Sequence, residues 1–235
     1  MTELILLPGW ALGTAPLEPL AAALAPFMPV RIEPLPTLTT NDPERWLDEL
    51  DTRLPANAWL GGWSLGGMLA VALASRRGSA CPAVISLAAN ACFTARDGWP
   101  TALPEATLAA FAEGISSQPA ATLKRFALLC GQGAAEARAL ARQLQAPEQP
   151  VEQLQAGLAL LASLDNRAAL ATAAQPQLHM LAEQDALVPL AAADELARLS
   201  AALTVERLAA SHALPLERPE ALAARIHEFL QRVER

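Results

Sequence analysis

The stretch AWLGGWSLGGMLAVALA, residues 58–74, places Ser64 between two pairs of glycines. The apolar residues 58–60 precede the glycines, and small apolar residues follow the glycines in a helical pattern that ends at Gly78. Glycine is unfavourable inside both strands and helices, so four glycines around one serine indicate a sharp connection between two elements. The stretch therefore predicts a strand, a tight turn at Ser64 and a helix that ends at Gly78.

Gly62, Ser64 and Gly66 form the pattern G-x-S-x-G. Between a strand and a helix, this pattern is typical of a turn that holds a nucleophilic serine at the carboxyl end of a sheet, with the helix N-terminus facing it. The alternative is a glycine-rich helix start at which Ser64 serves only as a cap. We favour the nucleophile, because the glycines stand where side chains would collide in so tight a turn.

Short apolar runs alternate with helical patterns along most of the chain. The runs predict six strands, at residues 3–9, 29–36, 58–62, 82–90, 176–182 and 202–209. Between the second and third run, Asp42 followed by Pro43 predicts the start of a helix. Strands that alternate with helices predict a parallel sheet covered on both faces. We therefore expect the α/β class, with six parallel strands.

The middle of the chain has a different pattern. Residues 93–169 show helical periodicity without a convincing strand, and breaks at DGWP, SSQP, GQG and APEQP divide this block. An all-helical block between two halves of a parallel sheet predicts an insertion that covers the sheet. We expect a core formed by residues 1–92 and 170–235, and an inserted helical cap formed by residues 93–169.

A serine hydroxyl needs a general base, and the chain contains three histidines. His212 lies between the last predicted strand and the last helix, in a loop at the same sheet edge as Ser64. His179 lies inside a predicted strand and His227 inside the last helix, where structural roles are the more ordinary interpretation. We expect His212 to be the base, and the alternative is an ordinary loop histidine.

The base needs a carboxylate that fixes its tautomer and stabilises its charged form. Asp185 directly follows the fifth predicted strand, and we assign it this role; the alternative is a simple turn or cap residue. Asp165 is better explained as the cap of a short helix. Asp97 falls in the helical block and Asp194 within a predicted helix.

Two backbone N–H groups are needed to stabilise the oxyanion that forms when a serine attacks a carbonyl. Leu65, directly after the nucleophile, supplies one of them. The second should come from the loop after the first strand, LLPGWAL at residues 6–12. Pro8 has no N–H, so Trp10 is the best donor, and its indole could also wall the pocket. The alternative for Trp10 is plain packing at the end of a strand.

The bulk composition excludes several classes of protein. Hydrophobic residues make up 53% of the 235 residues, yet no apolar run reaches the 18 or more that a membrane span needs. The net charge of −7 argues against nucleic acid or an anionic membrane as a partner of the whole surface. No cysteine or histidine pair has metal-ligand spacing, so we expect no metal and no cofactor. With three cysteines and no secretion signal, we expect a reduced, cytoplasmic setting.

These residues together resemble a known family. The order Ser64, Asp185, His212 is that of the α/β-hydrolase superfamily, which the stretches LLPGWALG, WLGGWSLGGMLA, DALVP and ASHA also resemble. Those four stretches, together with ACFTARDGWP, TLKRFALLC and LASLDNRAAL, resemble more closely the pimeloyl-[acyl-carrier protein] methyl ester esterases of the biotin pathway. CFTARDGWP and LKRFALLCGQG, which belong to the insert, make this closer match specific. One departure is Pro8-Gly9, where that family more often has His-Gly.

The resemblance implies a carboxylesterase that hydrolyses the methyl ester of a pimeloyl chain on acyl carrier protein. It implies that Ser64, Asp185 and His212 form the triad and that Trp10 and Leu65 frame the oxyanion site. It also implies that one stretch of the cap lines the acyl site, namely Phe126, Ala127, Leu128, Leu129 and Cys130.

The predicted cap also carries basic residues. Lys124 and Arg125 lie beside a helical apolar face, and Arg138 and Arg142 are four residues apart on one helix. Residues 119–145 carry a net charge of +3, which leaves −10 for the rest of the chain. This asymmetry suits an acidic partner such as acyl carrier protein, and the alternative is a solvated basic helix face. We expect a monomer that docks the carrier through these four residues.

Two other functions remain open on the sequence alone. A general short-chain carboxylesterase would share the triad but have no carrier partner, and the basic residues of the cap favour the carrier-linked esterase over it. A non-catalytic binding protein of the same fold has no need of Ser64, Asp185 and His212 together, so the intact set counts against it.

Overall fold

The computed structural model of the protein describes residues 2–234. Within this range, six strands form one sheet in the order β2-β1-β3-β4-β5-β6, and every neighbouring pair is parallel, as the sequence predicts. The strands are β1 (Leu4–Leu7), β2 (Val30–Ile32), β3 (Trp59–Trp63), β4 (Val84–Leu87), β5 (Gln177–Ala182) and β6 (Leu203–Leu208).

Burial explains the composition of the strands. β1, β3, β4 and β5 are buried along their whole length, whereas the edge strands β2 and β6 keep partly exposed positions. Central parallel strands are covered on both faces, so they are nearly continuous apolar runs instead of alternating patterns. The runs LILL and VISL therefore indicate strands without any period of two.

The helices follow the predicted alternation. They are α1 (Glu18–Leu24), α2 (Pro43–Arg53), α3 (Leu65–Arg77), α4 (Glu105–Ser117), α5 (Pro119–Cys130), α6 (Ala137–Gln143), α7 (Val151–Ser163), α8 (Arg167–Ala171), α9 (Ala192–Leu199), α10 (Leu214–Glu217) and α11 (Pro219–Val233). α2 begins as predicted, because Asp42 Oδ1 accepts a hydrogen bond from the Glu44 N–H at 3.1 Å and Pro43 is the first helical residue. α3 ends at Gly78, also as predicted.

The helices α4 to α8 follow one another between β4 and β5, and we call residues 93–169 the helical insert. The two ends of the insert contact each other and α3. Cys92 and Asp165 form an antiparallel bridge, and Asn166 donates to the carbonyls of Ala91 and Met68, each at 2.9 Å. Nowhere between residues 2 and 234 is a helix long and apolar enough to cross a membrane.

Candidate active site

Ser64 occupies a strained turn between β3 and α3. Its φ of 54° and ψ of −120° lie in a region that residues with a Cβ rarely adopt. The Ser64 N–H donates to the Leu87 carbonyl at 2.8 Å, which fixes the turn to the end of β4. The serine is thereby held at the carboxyl edge of the sheet, where open α/β sheets bind ligands.

Gly62 and Gly66 make this turn possible. A Cβ on Gly62 would lie 2.3 Å from the carbonyl carbon of Gly66, and a Cβ on Gly66 would lie 2.2 Å from the carbonyl oxygen of Leu7. Backbone atoms cannot move aside as the end of a flexible side chain can, so both positions require glycine. The spacing G-x-S-x-G is thus a steric requirement of the local fold.

The side chains of His212 and Asp185 meet at the same edge. Asp185 lies in the loop after β5 and His212 in the loop after β6. His212 Nδ1 is 2.8 Å from Asp185 Oδ2, and neither side chain is exposed. Asp185 Oδ1 also accepts hydrogen bonds from the backbone N–H groups of Leu187 and Val188, at 2.8 and 2.9 Å. The carboxylate is therefore fixed in place, and a proton on Nδ1 leaves the Nε2 lone pair free.

The His212 loop is anchored to the Ser64 turn through Trp63. The Trp63 indole N–H donates to the His212 carbonyl at 2.8 Å, and the two rings lie 5.7 Å apart. His212 Nε2 is buried and has no hydrogen-bond partner within residues 2–234, so no such bond joins it to Ser64 Oγ. Hydrogen bonds of this kind are often loose without substrate and tighten in the complex. The arrangement leaves Nε2 available to accept a hydroxyl proton.

Both predicted oxyanion donors border one cavity. Leu65 is the first residue of α3, which places its N–H at the start of the helix. The loop after β1 passes beside the turn, since a Cβ on Gly9 would lie 3.4 Å from the Cβ of Ser64. Gly9, Trp10 and Leu65 all line a cavity of about 190 Å³. The Trp10 side chain is buried, and its indole N–H donates to the Leu154 carbonyl at 3.0 Å.

The other histidines and the competing aspartate have different partners. His179 is buried in β5, and burial lowers its pKa to about 4. His227 stacks on Phe27 with ring centroids 4.3 Å apart. Asp165 is not itself the N-cap of α8, which is the next residue, Asn166, but its Oδ1 accepts a hydrogen bond from the Arg167 N–H at 3.1 Å. It also pairs with the Arg167 guanidinium, which lowers the pKa of that carboxyl to about 2.

The stretch from Phe126 to Cys130 belongs to α5, so its side chains point in different directions. The Phe126 ring packs edge-on against Trp10, with centroids 4.8 Å apart. Ala127 and Leu128 line a cleft of about 880 Å³ formed by α5, α6 and the start of α7. Leu128, in the last turn of α5, is 47% exposed and therefore open to a ligand in this cleft.

The end of this stretch lies against the His212 loop. Leu129 is partly buried and packs on the core, and Cys130 is fully buried. The Cys130 carbonyl accepts a hydrogen bond from the Ala213 N–H at 3.0 Å. Burial also raises the pKa of the Cys130 thiol well above its usual value, with the nearby Asp185 charge adding to the effect. The Cys130 thiol therefore stays neutral, and the Cys130 carbonyl joins the insert to the His212 loop.

Basic side chains surround the larger cleft. Lys124, Arg138 and Arg142 line it, whereas Arg125 lies outside it with its guanidinium carbon 5.6 Å from the Phe111 ring centroid. All four predicted docking residues are exposed, and within the described part of the chain none of them forms an ion pair. Three of the four therefore gather around one opening.

Residues 144–157 take part in the site although their sequence pattern did not single them out. The Leu154 carbonyl holds Trp10, and Gln149 Nε2 donates to the Ala11 carbonyl at 2.8 Å. A buried indole N–H needs an acceptor, but nothing in the sequence says which carbonyl supplies it. Among residues 2–234, no group of three or more His, Cys, Asp or Glu side chains is placed to hold a metal ion.

Sequence comparison identifies several relatives. The chain matches the model of the Alpha/beta hydrolase family over residues 4–225. It is 40% identical to the biotin biosynthesis bifunctional protein BioHC of Cellvibrio japonicus, covering 97% of this chain and 47% of that protein. The chain thus spans about half the length of that relative. It is 36% identical to the pimeloyl-[acyl-carrier protein] methyl ester esterase of Aromatoleum aromaticum, covering 80% of this chain and 81% of that protein.

Solved structures show the same fold. An esterase (EaEST) from Exiguobacterium antarcticum superposes with a TM-score of 0.83 at 18% identity, covering 100% of this chain and 92% of that chain. The enol-lactonase from Burkholderia xenovorans LB400 superposes with a TM-score of 0.81 at 21% identity, covering 98% of this chain and 91% of that chain. The resemblance predicted from the sequence is confirmed, and the chain belongs to the alpha/beta hydrolase family.

Proposed function

We propose that the protein is a serine carboxylesterase that hydrolyses the methyl ester of pimeloyl-[acyl-carrier protein] in biotin synthesis. The observation that carries the proposal is the buried His212–Asp185 pair beside the Ser64 turn. The name of the relative from Aromatoleum aromaticum, at 36% identity over most of both chains, supports the choice of substrate.

The first half of the proposed reaction forms an acyl-enzyme. Ser64 Oγ attacks the ester carbonyl carbon while His212 Nε2 accepts the hydroxyl proton. Asp185 keeps the other ring nitrogen protonated and stabilises the imidazolium. The N–H groups of Leu65 and Trp10 donate to the oxyanion. As the C–O bond to the methoxy group breaks, His212 gives its proton to that oxygen, and methanol leaves.

The second half repeats the cycle with water. His212 Nε2 takes a proton from a water molecule, whose oxygen attacks the acyl carbonyl carbon. The bond to Ser64 Oγ then breaks, and His212 returns the proton to that oxygen. The product is the carboxylic acid at the far end of the carrier-bound chain, which releases its remaining proton to the solvent as the free carboxylate forms. The mechanism requires no cofactor.

The cleft of about 880 Å³ suits a substrate whose carrier stays outside. In the proposal, Lys124, Arg125, Arg138 and Arg142 dock the acidic acyl carrier protein, because they are exposed cations without ion-pair partners in the described chain. Ala127 and Leu128 contact the acyl arm in the cleft. Phe126, Leu129 and Cys130 form the packed wall between this arm and the Trp10 and His212 loops.

We also propose the molecular setting of this activity. Residues 1–92 and 170–235 form the catalytic core, and residues 93–169 form a cap that receives the substrate. The protein acts as a cytoplasmic monomer. The cavity beside Trp10 and the larger cleft share Pro147 and Gln149 in their walls, which supports a route from the cap surface to Ser64.

A general short-chain carboxylesterase with no carrier partner is the alternative, since it would use the same three residues. The two are separated by comparing kcat/KM for pimeloyl-[acyl-carrier protein] methyl ester with that for dimethyl pimelate. We expect a preference of about tenfold or more for the carrier-linked ester. Equal values would favour the general esterase. Complementation of a biotin-requiring strain lacking such an esterase, with Ser64→Ala as the control, tests the role in the cell.

A further inference from the structure

The loop that carries the Trp10 N–H has an unfavourable backbone conformation directly after the donor. Ala11 has a φ of 63°, in the left-handed region that a residue with a Cβ rarely adopts. Such a residue persists only where surrounding contacts hold it. The peptide groups on both sides of Ala11 depend on those contacts, and so does the direction of the neighbouring Trp10 N–H.

The contacts that hold this loop come from the helical insert. Gln149 Nε2 donates to the Ala11 carbonyl at 2.8 Å, and the Leu154 carbonyl holds the Trp10 indole at 3.0 Å. Pro147 lies against Gly13, where an added Cβ would be 3.2 Å from the proline Cγ. Among these three contacts, only the one from Gln149 is a hydrogen bond to Ala11 itself, the residue with the left-handed conformation.

We infer that Gln149 is a positioning residue for ester hydrolysis. Its amide holds the Ala11 carbonyl, keeps Ala11 in the left-handed conformation and so keeps the Trp10 N–H directed at the oxyanion. This inference rests on the proposed function of Ser64 as an esterase nucleophile. An interaction that orients an oxyanion donor stabilises the transition state more than the bound substrate, so its loss lowers kcat rather than raising KM.

The test uses Gln149→Met, which keeps the length of the side chain and removes the donor. Gln155→Met is the matched control, because Gln155 lies on α7 outside the walls of both cavities and its amide donates to Ser116 Oγ at 2.8 Å instead of to the loop. The substrate is p-nitrophenyl acetate, and a fluorophosphonate that labels Ser64 counts the active sites. In Gln149→Met, we expect kcat per labelled site to fall by about three- to tenfold, which is the loss usually caused by removing one hydrogen bond. KM should change little. Gln155→Met should keep the parental kcat.

A second background tests the mechanism of the effect. Glycine adopts a φ of 63° without a steric penalty, so Ala11→Gly should reduce the need for Gln149. In the Ala11→Gly background, Gln149→Met should therefore lower kcat by less than about twofold. Such non-additive effects are expected when two residues act through the same contact. A purely structural role of Gln149 would give the same loss in both backgrounds.

The outcomes separate this inference from the proposed function. A parental kcat in Gln149→Met, an equal loss in Gln155→Met, or an equal loss with and without Ala11→Gly would overturn the inference alone. The protein could instead hydrolyse p-nitrophenyl acetate but show equal kcat/KM for pimeloyl-[acyl-carrier protein] methyl ester and dimethyl pimelate. That result would overturn the proposed substrate and leave the inference standing. A parent protein without Ser64-dependent esterase activity would overturn both.

Discussion

Asp185 Oδ2 lies 2.8 Å from His212 Nδ1, and both side chains are completely buried. The two backbone N–H groups that bind Asp185 Oδ1 leave this carboxylate little freedom to turn away. His212 is therefore held with one nitrogen committed to Asp185 and the other unpartnered among the described residues. This is the geometry that a general base needs before substrate arrives.

Asp185→Asn should be severely impaired in ester hydrolysis. The amide favours the wrong tautomer of His212, and the corresponding change in serine proteases lowers kcat on the order of 10⁴-fold. Asp165→Asn is the control, since Asp165 pairs with Arg167 away from the site and its loss should leave kcat close to that of the parent. The assignment of the acid would be wrong if Asp165→Asn were the more damaging change.

Gly62→Ala and Gly66→Ala should disrupt folding far more than Gly61→Ala. The added Cβ at the first two positions meets backbone atoms at 2.3 and 2.2 Å, whereas at Gly61 it meets the end of the Leu6 side chain at 3.0 Å. We expect losses above about 3 kcal/mol at the first two positions and about 1–2 kcal/mol at Gly61. Urea unfolding monitored by tryptophan fluorescence measures the difference. Equal losses at all three sites would contradict the steric account of the turn.

His179 should make the protein less stable as the pH falls below neutrality. Burial lowers its pKa in the folded protein to about 4, against 6.5 for an ordinary histidine. Below pH 6.5 the unfolded chain therefore binds a proton that the folded protein does not, and stability declines until the pH reaches about 4. In His179→Gln, the free energy of unfolding should change less between pH 6.5 and 4 than in the parent. An unchanged pH dependence would contradict this, because it would mean that His179 binds its proton equally well in the folded and the unfolded protein.

The charge reversal Arg138→Glu plus Arg142→Glu tests the docking of the carrier. Exposed charges act mainly on the rate of encounter, so kcat/KM for the carrier-linked ester should fall by roughly tenfold or more at low salt. The defect should shrink as salt is added, and hydrolysis of p-nitrophenyl acetate should be spared. Arg225→Glu plus Arg232→Glu on α11 is the matched control, with the same change in charge on another exposed surface. Similar effects of the two double variants would argue against a docking site on the insert.

Local patterns were enough to predict the elements that carry the proposed reaction. Gly62 and Gly66 reveal the Ser64 turn because their requirement is steric and lies within five residues. Asp185 and His212 could be placed at one sheet edge because the carboxyl ends of parallel strands share that edge. The two residues are 27 positions apart in the sequence, so the 2.8 Å length of their hydrogen bond could be learned only from the folded structure.

Contacts between the insert and the core could not be predicted in the same way. The bonds from Trp10 to Leu154 and from Ala213 to Cys130 end on backbone carbonyls, which leave no trace in the residue types. The left-handed Ala11 lacks the glycine that usually marks such a conformation. These features depend on how the helices α5 and α7 pack on the loops, and the sequence pattern of either partner alone does not contain that information.

The rate at which Ser64→Ala releases methanol from pimeloyl-[acyl-carrier protein] methyl ester tests the central claim most directly. The protein should retain its melting temperature, because the substitution removes one oxygen from an already assembled turn. We expect the rate to fall by about 10³-fold or more relative to the parent, since no other group can form the acyl-enzyme. A rate within about tenfold of the parent would contradict the account, because such a loss is too small for removal of a nucleophile.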